Sequence, residues 1–145
     1  MPIQPEHLAF LPDHHSAAMI TVGDDGRPKV ARVGIALVDG KIWSSGVQSR
    51  VRTARLRRDP RCTLYVPDPA ATWVALETNV TILDGPDAPE LNLRLFRIMQ
   101  GKPTGPLTWF GGDHEEADFL RVMREEERLV FEFAVEKSYG LLGPP

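Results

Sequence analysis

Apolar and polar residues alternate with a period of two in this chain, a pattern that favours folds built from β-strands. Residues 72–83 place Val74, Leu76, Val80 and Ile82 on one side of an extended segment. Such alternation is typical of a strand with one buried face. Six segments are predicted to be strands: residues 17–22, 29–38, 41–46, 61–67, 72–83 and 128–137.

Turn-forming residues join these segments into hairpins. Residues 23–28 are a run of turn formers, and Asp39-Gly40 predicts a tight hairpin because glycine tolerates the positive φ such a turn needs. Sheets of this size usually close or pack against a partner to cover their edges. We therefore predict one mostly β (α+β) domain over residues 1–145, a small antiparallel barrel that dimerises. Its helices are expected at residues 4–11, 49–59, 88–100 and 114–126.

The charge of the chain is unevenly distributed. The segment from Arg50 to Arg61 holds six arginines and one acid, a net charge of +5, which leaves −8 elsewhere because the whole chain carries −3. A concentrated cationic site on an acidic molecule favours a defined anionic ligand over nucleic acid. No stretch approaches the roughly 18 apolar residues of a membrane span, and no signal peptide is visible. We expect a cytoplasmic protein that binds neither membrane nor nucleic acid.

The strongest candidate for a binding site lies where residues 43–52 pass from a strand into the arginine segment. Ser49 is predicted to cap the helix, and Asp59-Pro60 to end it. A helix N-terminus attracts phosphate, and Arg50 and Arg52 can hold phosphate oxygens bidentately. Ser45, Gln48 and Ser49 can add neutral hydrogen bonds. The alternative is an ordinary basic helix with a solvated face.

Metal and nucleophile chemistry have little support in the sequence. His14 and His15 are adjacent, so their side chains diverge in an extended segment, and His7 and His114 lack companions at a recognisable spacing. Cys62 alternates with apolar residues, which predicts a buried, inert thiol. Trp109 and Phe110 precede two glycines in a predicted loop, where they either cover a ring-shaped cofactor or plug the barrel. We predict no metal site and no catalytic side chain.

Residues 17–66 resemble the flavin and deazaflavin oxidoreductases of the pyridoxamine-phosphate-oxidase-like split β-barrel superfamily. The resemblance rests on the Asp-Gly-Arg-Pro turn at 25–28, the strand end at Ser44-Ser45, the basic pair Arg50 and Arg52, and the Leu-Arg-Arg-Asp-Pro block at 56–60. It resumes at residues 73–80 and 127–140. The chain departs from the family at Arg55, where many members have asparagine, and at Thr78-Asn79, where glycine is common.

The resemblance implies a six-stranded split barrel, also called the FMN-binding split barrel, that forms a homodimer with cofactor sites between the subunits. Matched by position, Arg50 and Arg52 would contact the cofactor phosphate. Other cofactor contacts implied in this way lie on the neighbouring strands and connecting loop, with one more at the start of the second matching stretch: Ala31, Val33, Ser44, Ser45, Gln48, Ser49, Val51 and Trp73.

The resemblance to the branch that uses coenzyme F420, a deazaflavin, is the strongest. It implies an oxidoreductase that transfers hydride from reduced F420 to a small organic acceptor. Arginines beyond the phosphate pair, at 55, 57 and 58, could attract the carboxylates of the oligoglutamate tail of F420. Two alternatives stay open: an FMN-dependent oxidoreductase on the same barrel, and a non-catalytic carrier of flavin, deazaflavin or haem.

Overall fold

The computed structural model describes residues 2–143 of the chain. Four α-helices lie at Pro5–Phe10 (α1), Val51–Arg58 (α2), Ala88–Gln100 (α3) and Glu116–Glu125 (α4), and a 3₁₀ turn at Leu11–Asp13 follows α1. The strands are Ser16–Val22 (β1), Pro28–Gly34 (β2), Ala36–Val38 (β3), Lys41–Val47 (β4), Arg61–Pro67 (β5), Trp73–Leu83 (β6), Leu107–Trp109 (β7), Gly112–His114 (β8) and Arg128–Leu141 (β9).

One antiparallel sheet of seven strands, in the order β2-β1-β5-β6-β9-β4-β3, forms the body of the fold. The strands at its two edges, β2 and β3, are separated in the chain by Ile35 alone. The two edges are therefore held next to each other, and the sheet has to curl. The predicted mostly β, α+β class is confirmed, because the structure has one curled antiparallel sheet with a few short helices.

The sheet has seven strands instead of the predicted six because residues 29–38 do not form one strand. The chain breaks at Ile35, whose backbone N–H donates to the carbonyl of His15 at 2.9 Å. The Nδ1–H of His15 donates in turn to the carbonyl of Ile35, also at 2.9 Å. Both polar groups of the Ile35 backbone are thus satisfied outside the strand pairing, and the Ile35 side chain is buried. These tertiary contacts override the local alternation.

Other boundaries differ from prediction by a few residues. The last strand continues to Leu141 because its pairing with β6 runs as far as Trp73, past a register shift between Glu77 and Thr78. The helix expected from residue 114 begins at Glu116. An unpredicted hairpin, β7–β8, occupies the segment before it.

Three groups of buried side chains hold the fold together. The largest lies inside the curled sheet and includes Leu64, Leu76 and Phe131. A second joins α3 to β3, β4 and β9 around Leu95 and Trp43. The third lies between α3, α4 and the β7–β8 hairpin and consists of Phe96, Leu107, Phe119 and Met123. Helix α3 thus packs outside the sheet and carries the hairpin beside it.

No helix among residues 2–143 combines the length and apolar character of a membrane span.

Candidate functional site

A cleft of about 370 Å³ lies at the end of β4, between β2, the start of α2 and the β7–β8 hairpin. Its volume falls within the roughly 300–1,000 Å³ of ordinary small-molecule sites. The residues that line it are Arg32, Val33, Gly34, Ser44, Ser45, Gly46, Val47, Arg50, Arg52, Phe96, Met99, Trp109, Phe110 and Arg128.

The turn from β4 into α2 brings both predicted phosphate ligands to this cleft. The hydroxyl of Thr53 donates to the carbonyl of Val47 at 2.7 Å, and the backbone N–H of Arg50 donates to the same carbonyl at 3.2 Å. Helix α2 therefore starts immediately beside the end of β4. The prediction of Ser49 as the cap is wrong: Arg50 occupies the N-cap position and makes no side-chain capping bond. Extended backbone at Arg50 delays the helix by one residue.

The arginine segment divides into paired and unmatched charges. Arg57, Arg58 and Arg61 lie within 2.9 Å of a carboxylate oxygen of Asp84, Asp24 and Asp59, respectively. Within residues 2–143, Arg50 and Arg52 have no carboxylate within ion-pair distance. The solvated-face interpretation thus describes Arg57, Arg58 and Arg61, whereas Arg50 and Arg52 line the cleft.

Electrostatics at Arg52 shows that the cleft is strongly cationic. Partial burial lowers the pKa of the Arg52 guanidinium, and the positive charges of Arg50, Arg128 and Arg55 lower it further. Three like charges are therefore close enough to disfavour the charged form. A bound anion would relieve this repulsion, and guanidinium groups match phosphate oxygens in geometry.

Two serines at the end of β4 use their hydroxyl protons within the protein. The hydroxyl of Ser44 donates to the carbonyl of Gly34 at 2.7 Å, and that of Ser45 donates to Oδ1 of Asn92 at 2.6 Å. Asn92 is fully buried, and its amide nitrogen donates to the carbonyls of Ala88 and Leu129. Since Oδ1 can only accept, the proton of Ser45 points away from the cleft, and its oxygen lone pairs remain for a ligand.

Aromatic residues of the β7–β8 hairpin form a wall of the cleft. The Trp109 ring packs edge-on against Phe96, with the centroids 5.1 Å apart, while Phe110 at the tip is 86% exposed. The hairpin lies outside the curled sheet, so the alternative in which these rings plug the barrel is wrong. Arg32, Phe96, Met99 and Arg128 also line the cleft and were not predicted from the sequence.

His114 fastens this hairpin to α4. Its Nδ1 and Nε2 lie 2.5 Å from Oδ2 of Asp118 and 3.1 Å from the carbonyl of Trp109. Because a carboxylate and a carbonyl only accept, both hydrogen bonds form together only when both ring nitrogens carry protons. Hydrogen bonding to Asp118 accordingly raises the pKa of His114 above its ordinary value.

Stability should therefore depend on pH through His114. A raised pKa in the folded state stabilises the fold fully below the unfolded-state value, about 6.5. That contribution is lost as pH rises through the folded-state pKa. We expect urea unfolding midpoints to fall from pH 6 to pH 9, and to fall less in His114→Gln. Equal pH dependence of the two proteins would show that His114 does not act this way.

Five of the ten predicted contacts line the cleft: Val33, Ser44, Ser45, Arg50 and Arg52. The other five lie outside it. Ala31 is two residues before Val33 on β2, and Gln48 accepts a hydrogen bond from Arg57 at 2.8 Å. Ser49 and Val51 are exposed on the connecting turn and the start of α2. Trp73 packs between Tyr65 and Tyr139 on the outer face of the sheet. Their roles toward a cofactor stay predictions.

The surroundings of Cys62, His7 and His14 indicate structural roles for these residues. Burial raises the pKa of the Cys62 thiol to about 12, so a thiolate nucleophile is disfavoured there. His7 is buried and hydrogen-bonded to Ser138 at 2.7 Å, and His14 donates to Asp68 at 2.6 Å. Among residues 2–143, no group of three or more His, Cys, Asp or Glu side chains could hold a metal ion.

Solved structures of similar shape span almost the whole chain. A conserved hypothetical protein from Mycobacterium tuberculosis is 20% identical over 100% of this chain and 90% of its own, with a TM-score of 0.73. A protein described as an F420 reductase is 20% identical over 96% and 98%, with a TM-score of 0.66. An FAD-binding protein from Mesorhizobium loti is 13% identical over 89% and 84%, with a TM-score of 0.58.

At these identities the likeness establishes the fold alone. No curated protein matches the chain in sequence. The family described as pyridoxamine 5'-phosphate oxidase, however, matches residues 3–139, which include every strand of the sheet except the last two residues of β9. The chain therefore belongs to the pyridoxamine 5'-phosphate oxidase family.

Proposed function

We propose that the protein is an oxidoreductase that binds reduced coenzyme F420 in the cleft and uses it to reduce a small organic molecule. The observation that carries the proposal is the pair Arg50 and Arg52 at the cleft, without a carboxylate partner among the described residues. Unmatched guanidinium groups beside an aromatic wall fit a ligand with both a phosphate and a planar ring.

The residues of the cleft would bind and shield the cofactor. Arg50 and Arg52 would hold the phosphate, and the Ser45 oxygen would accept a hydrogen bond from an N–H or O–H group of the ligand. Trp109 and Phe110 would exclude water from one side of the ring. F420, when bound, supplies the hydride itself. The described residues that line the cleft include no carboxylate, histidine or cysteine, and no side chain is proposed here as an obligatory acid or base.

The preference for F420 over FMN rests on charge beyond the phosphate pair. Arg57 and Arg58 are paired with Asp84 and Asp24, so the carboxylates of an oligoglutamate tail would have to compete for them. Arg55 has no carboxylate partner within the described part of the chain and adds to the positive charge at Arg52. FMN is the second candidate because the same guanidinium pair would also bind its phosphate.

Turnover distinguishes an enzyme from a carrier. Purified protein would be mixed anaerobically with reduced F420 and a panel of quinone, enone and nitroaromatic acceptors, and the reappearance of oxidised F420 followed by absorbance. Acceptor-dependent oxidation that is lost in the Arg50→Ala/Arg52→Ala variant supports the enzyme. Saturable binding of F420 without oxidation by any acceptor would favour the carrier, and binding of haem instead would overturn the proposal.

We further propose that the protein is a cytoplasmic homodimer with its cofactor sites at the interface. The outer face of the sheet exposes 69% of Val30, 38% of Tyr65 and 40% of Tyr139. Burying such apolar surface against a second copy is favourable, and β2, which carries Val30, is an edge strand of the kind a partner would cover.

Light scattering is expected to give twice the 16.2 kDa mass of one chain at micromolar concentration. Val30→Arg should shift the equilibrium toward monomer, because an unpaired charge would be buried. Ile98→Arg, at a 41% exposed position on α3, is the control. A stable wild-type monomer in the presence of cofactor would rule out a shared site.

A further inference from the structure

Glu126 joins two residues of the cleft without lining the cleft itself. Its Oε2 accepts a hydrogen bond from the indole Nε1–H of Trp109 at 3.0 Å. Its Oε1 accepts from Nε of Arg128 at 2.9 Å. The guanidinium carbon of Arg128 lies 4.6 Å from the centroid of the Trp109 ring, a cation–π distance. The three side chains therefore form a closed triangle.

The backbone after α4 brings Glu126 and Arg128 to the same side. Glu126 caps the helix, and Glu127 adopts a left-handed conformation with φ of 53°. The chain then enters β9 at Arg128, whose Cα pairs with Val47 at the end of β4. Glu126 uses only Nε of Arg128, so its hydrogen bond leaves the two terminal nitrogens of that guanidinium unoccupied. Arg128 lines the cleft and adds to the positive charge at Arg52.

We propose that Glu126 is a positioning residue that fixes the Trp109 ring and orients Arg128 as a third ligand for the anionic part of the cofactor. The proposal rests on the proposed function for the cofactor and extends it to Glu126 and Arg128, which the sequence did not suggest. The Glu126 carboxylate thereby sets the distance between the Trp109 ring and the Arg128 guanidinium.

A positioning role for Glu126 and a purely electrostatic one predict opposite changes in cofactor affinity when its charge is removed. A carboxylate near three arginines repels a bound phosphate, so its neutralisation would tighten binding if Coulomb attraction were all that mattered. If Glu126 positions its partners, neutralisation weakens binding, because the amide of glutamine would oppose the N–H of Arg128 or of Trp109. The sign of the change in affinity therefore decides between these two roles.

The test compares Glu126→Gln with Glu125→Gln by titration with F420 and FMN. Glu125 pairs with Arg121 on the exposed side of α4, so the control removes the same charge one residue away. We expect Glu126→Gln to raise Kd roughly tenfold, the size of one charge-assisted hydrogen bond, and Glu125→Gln to leave Kd within about twofold. Unchanged or tighter binding in Glu126→Gln would overturn the proposal.

A second readout does not depend on the cofactor. In ¹⁵N-labelled protein the three tryptophans give three indole N–H signals, and Trp109→Phe identifies the relevant one. Glu126→Gln should shift the Trp109 signal and speed its exchange with water, while the signals of Trp43 and Trp73 stay in place. If wild type binds neither F420 nor FMN, the proposed function fails. An unmoved Trp109 signal in Glu126→Gln would separately overturn the positioning role of Glu126.

Discussion

Arg50→Ala/Arg52→Ala is expected to lose cofactor binding almost completely while remaining folded. Each guanidinium contact to phosphate is worth about 1.5–3 kcal/mol. Removing both should therefore raise Kd by roughly two to four orders of magnitude. Folding should survive because Arg50 is exposed, and removal of either charge relieves the repulsion around Arg52. Isothermal titration with F420 and with FMN measures the change.

Arg61→Ala is the matched control for the arginine pair. Arg61 belongs to the same basic segment but is the first residue of β5, beyond the C-terminal end of α2, and pairs with Asp59 at 2.8 Å. Loss of one exposed charge there should change Kd by less than about threefold. A similar loss of affinity in Arg61→Ala and in the double variant would mean that general positive charge attracts the ligand. Unchanged binding in the double variant would place the phosphate elsewhere.

Phe119→Ala is expected to cause the largest loss of stability. Phe119 is fully buried between α3 and α4, and its ring lies 5.2 Å from that of Phe96. Truncating a buried phenylalanine typically costs about 3–5 kcal/mol, through lost apolar burial and the cavity left behind. Since Phe96 also packs on Trp109, the loss should loosen the aromatic wall of the cleft as well.

Phe110→Ala is the control, because it makes the same substitution at an exposed position. Phe110 is 86% exposed at the tip of the hairpin, so its truncation should change the free energy of unfolding by no more than about 0.5 kcal/mol. Urea denaturation followed by circular dichroism measures both variants. Comparable destabilisation by Phe119→Ala and Phe110→Ala would contradict the packing of α3, α4 and the hairpin described above.

Local patterns were sufficient to predict most of the sheet. The alternation in residues 61–67 and 72–83 corresponds to β5 and β6, because these strands bury one face in the main core and expose the other. The break at Ile35 could not be predicted, since it depends on hydrogen bonds to His15, a residue of another part of the chain. Short-range patterns carry no information on such contacts.

The sequence predicted most directly the side of the candidate site that consecutive residues form. Arg50 and Arg52 follow a strand end directly, so motif and spacing bring them to one place. The opposite wall comes from Trp109 on a hairpin whose strands are three residues each, too short to show alternation. Arg128 reaches the cleft because β9 pairs with β4, which requires knowledge of the strand order. Asn92 reaches Ser45 from a helix that the family resemblance did not cover.

Equilibrium titration of the wild-type protein with F420 and FMN side by side tests the proposed cofactor most directly. We expect saturable binding of one F420 per chain, with a lower Kd than FMN under the same salt conditions. Raising the ionic strength should weaken F420 binding, because charge from Arg50, Arg52 and Arg128 contributes to it. If neither F420 nor FMN binds saturably, the assignment of the cleft as a cofactor site is contradicted.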